Sequence, residues 1–400
     1  MTDATRLRRE LLASVRARGG ARTESIAEAL LSVPRHAFVP DVPVEAAYRD
    51  AAIVTKRDAD GLPVSSSSQP TIMALMLDQL GPSPGQRVLE IGAGTGFNAA
   101  LLAHLVGPSG FVASVDIDPD VVERARVGLA LAGYPEVEVI CADGAHGHPA
   151  AAPYDRIIAT VGVWDLAPAW LAQLTPGGRI VAPLDLRGVQ VSVAFEWEDG
   201  HWVSRSLVPC GFMRLRGALA GPEQIRVLDP DTGLVAAVAD GRVVDGDGIR
   251  TALSGPSEVR PSGVRLPDDA TCGDLGLWLA LAEPRSCVLS DEDRGSPVLA
   301  QALLRSRGYR ATPGLLKGVS IAALGRRPVD AASFELDAHG YGPDGGRLAG
   351  DLAAHVRAWH AVGRPGTDRL SITACPRGVA HQHGGIVIEK VHTRLVVSGL

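Results

Sequence analysis

The sequence predicts an α/β fold. A mostly parallel sheet is covered by helices, closes with an antiparallel hairpin, and is followed by a second, α+β domain. Three observations carry this. From residue 87 to 184, short apolar runs alternate with helical patterns. Two β-patterned runs then flank Asp199-Gly200, a strong hairpin signal. Past residue 217 the alternation loosens into Gly-, Asp- and Pro-rich segments with scattered helical patterns. A length of 400 residues suits two or three domains.

The first 75 residues read as helices and loops. Ser25 and Glu28 form a candidate capping box ahead of Ile26, Leu30 and Leu31, and Pro34 ends that helix. RVLEI (87–91), FVASVD (111–116), VEVICAD (137–143), DRIIATV (155–161) and GRIVAPL (178–184) are strand-like. Helical patterns separate them at 97–106, 119–132 and 167–174. VSVAFEWE (191–198) and HWVSRSLV (201–208) make the hairpin. In the second half, 226–268 reads as short strands and turns, 274–282, 297–307 and 346–361 as helices, and 385–399 as a strand or hairpin. The expected domains are therefore 1–216 and 217–400.

Composition excludes several function classes. Lys+Arg 39 against Asp+Glu 45 gives a net charge of −6, which lacks the basic footprint of a nucleic-acid binder. The most apolar stretch, Phe97–Val106, is too short to span a membrane and contains Asn98 and His104. The charged N-terminus has no apolar signal-peptide core. Cys141, Cys210, Cys272, Cys287 and Cys375 form no CxxC pair, so neither a disulfide framework nor a zinc knuckle is indicated, and a reducing, cytoplasmic setting is expected. His381-Gln382-His383 lacks a third ligand, so no metal site is expected.

The chemistry concentrates at Gly92-Ala93-Gly94-Thr95-Gly96, between a strand and a helix. The spacing is GxGxG, and Phe97 stands where a dinucleotide loop would carry its third glycine. Asp116 and Asp143 end the next two strands, at the sheet edge where such folds bind ligands. The first carboxylate can take two ribose hydroxyls, and the second can accept from an adenine amino group. Each alone could be a turn former, but three strand-end features in succession point to S-adenosylmethionine. A nicotinamide oxidoreductase is disfavoured by the glycine spacing.

VPRHAFVP (33–40), AYRD (47–50), SQP (68–70), LEIGAGTGFNAALLAHL (89–105), DG (143–144), PYDRIIAT (153–160) and QLTPGGRIVAPL (173–184) occur in this order. Together they resemble the protein-L-isoaspartate O-methyltransferase family, over roughly the first half of the chain. The resemblance implies a Rossmann-like class I methyltransferase sheet and S-adenosyl-L-methionine as cofactor. It places Glu90, Gly92, Ala93, Gly94, Asp116, Ile117, Asp143 and Gly144 at the cofactor and Ser68 beside the methyl donor and the substrate carboxylate. Ser66 stands where the family usually has a threonine, a departure that bears on substrate choice. Without the flanking motifs, Ser65–Ser68 would read as a polar loop. Glu90 has a structural alternative, which is to hold the glycine loop through backbone N–H groups.

The implied partner is a peptide or protein bearing aspartate or isoaspartate, with no nucleic acid and no membrane. Residues beyond 216 are surplus to the usual repair enzymes of the family. Similar extended enzymes are associated with ribosomally made, modified peptides (lanthipeptides, lasso peptides and graspetides), where they methylate a defined aspartate. A tailoring role is therefore expected, with general repair as the alternative. A non-catalytic binding protein is the alternative of another class. Trp278 and Trp359 are expected in the core, and Arg377 on the surface.

Overall fold

The computed structural model describes residues 3–59, 61–222, 224–270, 272–292, 295–306, 309–378 and 384–400. His381 and His383 lie outside the described residues. The chain divides into two compact units. The first comprises 1–185, 190–221 and 371–398, and the second 186–189, 222–370 and 399–400.

The first unit opens with helices α1 (Asp3–Ala17), α2 (Glu24–Ser32) and α3 (Val44–Ala47). The N-cap of α2 is Thr23, whose hydroxyl accepts from the Ile26 N–H, so the cap lies two residues before the expected Ser25 and no Ser25–Glu28 box forms. A hairpin follows, β1 (Ile53–Arg57) and β2 (Pro63–Ser67). The serine run is therefore an antiparallel strand where the sequence suggested helices and loops. The pairing Val54↔Ser66 and Ile53↔Ser67 satisfies its backbone, and local polarity does not reveal that.

The core of the unit runs α4 (Pro70–Leu80), β3 (Arg87–Ile91), α5 (Phe97–Val106), β4 (Phe111–Asp116), α6 (Pro119–Ala132), β5 (Glu138–Cys141), β6 (Tyr154–Ala159), α7 (Pro168–Ala172) and β7 (Leu174–Leu186). Then come β8 (Val189–Glu198) and β9 (His201–Cys210). Strands β5, β4, β3, β6 and β7 are parallel neighbours, as expected from strand–helix alternation. Val88, Leu89 and Ile91 of the central strand are completely buried, since helices cover both faces. The predicted hairpin is present, and Asp199 (φ 48°) and Gly200 (φ 88°) take the left-handed conformations that its two-residue turn requires.

The second unit contains β10 (Gln224–Asp229), β11 (Leu234–Val238), α8 (Gly246–Leu253), β12 (Glu258–Pro267), α9 (Gly273–Ala282), β13 (Ser286–Asp291), β14 (Leu304–Ser306), β15 (Tyr309–Lys317), β16 (Ser320–Asp330), β17 (Ser333–Tyr341) and α10 (Gly345–Ala361). Its sheet runs β10-β11-β13-β15-β16-β17-β12, with β14 beside β15. Successive residues of β16 serve two cores. Ala322 and Leu324 pack with α10, while Ile321 and Ala323 pack with Ile249 of α8. The helix expected at 297–307 is instead a 3₁₀ turn, Pro297–Leu299, and strand β14. Trp359 is buried in the α10 core and Trp278 packs against it.

The chain then returns. Strands β18 (Ser371–Pro376), β19 (Ile386–Glu389) and β20 (Thr393–Ser398) extend the first unit's sheet in the order β19-β20-β18-β9. This corrects a single boundary near residue 217: 371–398 belong with the first unit. The open edge of β9 offers unpaired backbone groups, and β18 satisfies them at Thr373↔Val203 and Ala374↔Trp202. No helix among the described residues is long and apolar enough to cross a membrane.

Candidate functional site

At the carboxyl ends of the parallel strands lies a cavity of about 320 Å³. Its wall includes the glycine loop, the serine run and residues 209–216 at the end of β9 and just beyond it. Strand β3 delivers the loop. Gly92 has φ +101°, and a Cβ there would lie 2.7 Å from Val161 Cγ1, so neither its backbone nor its surroundings admit a side chain. Thr160, at the end of β6, donates its hydroxyl to the Gly92 carbonyl at 2.6 Å and fixes the loop from the neighbouring strand.

Asp116 ends β4 and lines the cavity. Its Oδ2 accepts from Gly94 N–H at 3.0 Å and Oδ1 from Asp118 N–H at 3.2 Å, so it braces the loop it faces. Burial raises its pKa, and those two amides oppose the rise. Glu90 is completely buried beneath the loop. It lines the cavity and accepts from Asn98 Nδ2 (2.8 Å) and Ser114 Oγ (2.5 Å), so side chains, and not the backbone amides of the structural alternative, hold it. Burial pushes its carboxyl up to about 7, chiefly by desolvation.

Ala93, Ile117 and Gly144 also line the cavity, and Trp170 Nε1–H donates to the Gly144 carbonyl at 2.7 Å. Asp143 does not line it. Its Oδ1 accepts from Ala145 N–H (2.9 Å) and Oδ2 from Ala218 N–H (2.8 Å). The strand-end aspartate thereby caps the 3₁₀ turn Gly144–His146 and ties it to the segment beyond Arg216.

Ser66 and Ser68 both reach the cavity wall, so the structure brings the expected donor-side and acceptor-side residues together. Three sequence motifs converge to hold them. Arg35, fully buried, donates Nη1–H to Arg49 O (3.0 Å) and Nη2–H to Ala51 O and Ser68 O (3.0 Å each). Burial lowers its pKa to about 10, which leaves it charged at neutral pH. Asp50 accepts from Thr71 N–H (2.9 Å), Thr71 Oγ1–H (2.7 Å) and Gln69 Nε2 (3.1 Å), capping α4 immediately after Ser68. Neither Arg35 nor Asp50 was singled out from the sequence. Both lie inside motifs quoted there, and an arginine between Pro34 and an apolar run was the available signal. Across the rim, Arg216 Nη2 meets Asp118 Oδ2 at 2.6 Å and Lys56 Nζ meets the same oxygen at 3.0 Å. Hydrogen bonding from Arg216 holds the Asp118 carboxyl below the ordinary range.

Two polar atoms among the cavity-lining residues, Ser67 Oγ and Asn98 Oδ1, are buried without a partner. A nucleoside- and amino-acid-bearing ligand offers the hydrogen-bonding groups such atoms need. Among the described residues no group of three His, Cys, Asp or Glu side chains is placed to hold a metal ion.

A parallel sheet, a glycine loop at its central strand and an acidic residue ending the next strand define a Rossmann-like class I methyltransferase that uses S-adenosylmethionine. The chain belongs to the family described as protein-L-isoaspartate(D-aspartate) O-methyltransferase, which it matches over residues 6–219. It is thus a carboxyl O-methyltransferase. It is 39% identical over 214 residues to the protein-L-isoaspartate O-methyltransferase of Methanopyrus kandleri, covering 53% of this chain and 92% of that one. The corresponding enzyme of Hyperthermus butylicus is 38% identical over 222 residues, covering 52% and 88%. A solved protein-L-isoaspartate O-methyltransferase superposes with TM-score 0.51 at 24% identity, covering 92% of this chain and 96% of that one. The fold beyond residue 219 therefore has a counterpart in a solved chain bearing that name.

Gly92→Ala is expected to weaken S-adenosylhomocysteine binding by about 10- to 100-fold, the cost of a strained backbone plus a steric clash. Calorimetric titration measures this, and unchanged affinity would show that the loop does not hold the donor.

Proposed function

We propose that this enzyme methylates an aspartyl or isoaspartyl carboxylate in a peptide, and that the ester collapses to a succinimide and then to isoaspartate. Ser68 carries the reading: it is set by Arg35 and by the Asp50 cap, and it shares a cavity wall with the glycine loop. When bound, S-adenosylmethionine supplies an electrophilic methyl group on a sulfonium centre. A carboxylate is already ionised at neutral pH, so no general base is needed. The chain's task is to orient one carboxylate oxygen and exclude water. Ser68 would donate its hydroxyl hydrogen to the other oxygen. Glu90, Gly92, Ala93, Gly94, Asp116, Ile117, Asp143 and Gly144 would hold the donor. In the resulting ester the next backbone nitrogen displaces methanol, closing the succinimide ring.

We infer further that the acceptor is a defined aspartate of a ribosomally made, modified peptide. The contact area that residues 222–370 add for peptide recognition supports this, and the departure at Ser66 leaves substrate choice open. The extension alone does not separate tailoring from repair, because a solved isoaspartate methyltransferase covers it.

Incubation with methyl-labelled S-adenosylmethionine and aspartyl or isoaspartyl peptides is expected to yield a base-labile ester. Ser68→Ala is expected to lower kcat/KM about 10- to 100-fold, the worth of a hydrogen bond to a charged group, with donor affinity unchanged. Label found only in base-stable products would sink the reaction class. Turnover of generic isoaspartyl peptides, with none on constrained aspartyl peptides, would favour repair over tailoring.

A further inference from the structure

A strand glycine of the second unit marks a small polar site outside the family match at residues 6–219. Gly325 of β16 stands in an unbroken stretch of ladder opposite Asp337 of β17. It does not take a left-handed φ, so its backbone does not call for glycine. The space above it does. A Cβ there would lie 2.7 Å from Asp337 Oδ1, 3.1 Å from His339 Nε2 and 3.2 Å from Gln301 Oε1. Three polar atoms converge on one volume that a side chain would fill. A glycine inside a strand often marks such a close approach of a ligand.

Local structure explains the convergence. Asp337 and His339 are two apart on β17, so both project from the face that Gly325 shares. Gln301 follows the 3₁₀ turn Pro297–Leu299, and its backbone carbonyl accepts from Arg326 N–H at 2.9 Å, which holds it beside the glycine. The Asp337 side chain is 2% exposed and that of His339 21%, so the imidazole edge gives access from solvent. His339 Nε2 lies 3.0 Å from Asp337 Oδ1. Arg327 addresses the other carboxylate oxygen, with Nε 3.7 Å from Asp337 Oδ2, while its Nη2 meets Glu335 Oε2 at 2.5 Å. Gln301 Oε1 is buried with no hydrogen-bond partner. A buried acceptor in that state calls for an explanation, and an ion is one. The 3.0 Å between oxygen and nitrogen is also the spacing of two adjacent ligands that each lie about 2.1 Å from one metal ion. Imidazole beside carboxylate and carbonyl suits zinc and its transition-metal neighbours better than magnesium or calcium.

We propose that Gln301, Asp337 and His339 bind a divalent transition-metal ion over Gly325, and that the ion pins the segment after Pro297–Leu299 to strands β16 and β17. Water completes its coordination on the side of His339. For Nε2 to bind the metal, the neutral imidazole carries its hydrogen on Nδ1. The site is independent of the methyl-transfer chemistry. With its amide turned over, Gln301 would instead donate to Asp337, and the cluster would need no ion.

The full chain, freed of metal by chelation, is titrated with zinc chloride by calorimetry, and equilibrium dialysis counts the bound zinc. The wild-type chain is expected to bind one equivalent that His339→Gln binds at least about 100-fold more weakly and Gln301→Leu about tenfold more weakly. Gly325→Ala is expected to abolish that equivalent, because the methyl group takes the ion's place. Should Gly325→Ala fail to fold, His339→Gln decides, with circular dichroism of the metal-free chains confirming that its fold is kept. No zinc bound by the wild-type chain overturns the proposal and leaves the turned amide as the explanation. Zinc bound equally well by His339→Gln and Gln301→Leu sits on other side chains and overturns it too. Magnesium bound as tightly as zinc overturns the assignment to a transition metal.

Discussion

Replacing Arg35 by methionine is expected to destabilise the fold by about 3–5 kcal/mol and to lower methyl transfer at least about 100-fold. The guanidinium is fully buried and takes the carbonyls of Arg49, Ala51 and Ser68, which come from two separate chain segments. Methionine fills much of the volume but leaves these acceptors without a donor in a place water does not reach. Ser68 would lose its register against the glycine loop, so activity should fall further than the population of folded enzyme does. Arg35→Lys should rescue only in part, because an ammonium cannot reproduce the planar fork that spans both segments. Urea unfolding gives the stability change, and methyl transfer under conditions where each variant is folded gives the rate. A variant that is destabilised but fully active when folded would reduce Arg35 to a stability element.

Glu90→Gln is expected to remove a pH dependence of stability worth about 3 kcal/mol. In the fold this carboxyl titrates near 7 against an ordinary value of 4.5, with desolvation as the main cause. Between those values the native state still holds a proton that the unfolded chain has released. Stability from this group is therefore greatest below the unfolded value, declines as pH rises through the window, and is level above it. Glutamine keeps the shape, accepts from Asn98 and can donate to Ser114, with no charge to desolvate. The stability difference between variant and wild type should grow in the variant's favour from about pH 4.5 to about pH 7. A difference that stays constant across that range would show that Glu90 is ionised throughout.

The parallel sheet was legible because its strands are buried on both faces. RVLEI, FVASVD and DRIIATV are apolar almost throughout, and helical patterns fill the intervals. The Asp199-Gly200 turn was legible because few residues tolerate that backbone. The glycine loop and Asp116 could be placed at one edge because parallel strands all end at the same edge of the sheet. Other features were decided by partners distant in sequence. Ser66 and Ser67 form a strand only because Val54 and Ile53 pair with them. Residues 297–307 have an apolar pattern that suits a helix, yet β15 recruits Leu304 and its neighbours as a strand. Asp143 ends its strand like Asp116, but that one of its oxygens ties down Ala218, 75 residues on, is set by the fold.

By itself, then, the sequence determined the class of chemistry: a glycine loop, an ordered series of strand-end acids and a serine before Gln69-Pro70. These depend on local backbone conformation and residue type, which a sequence displays directly. Only the tertiary structure decided that Arg35 and Asp50 hold Ser68. Only the tertiary structure returned residues 371–398 to the first unit's sheet, with Lys390 beside Asp185. Those outcomes rest on pairing an open strand edge and on neutralising buried charge. Both are set by whatever lies nearby in space, at sequence separations no local pattern encodes.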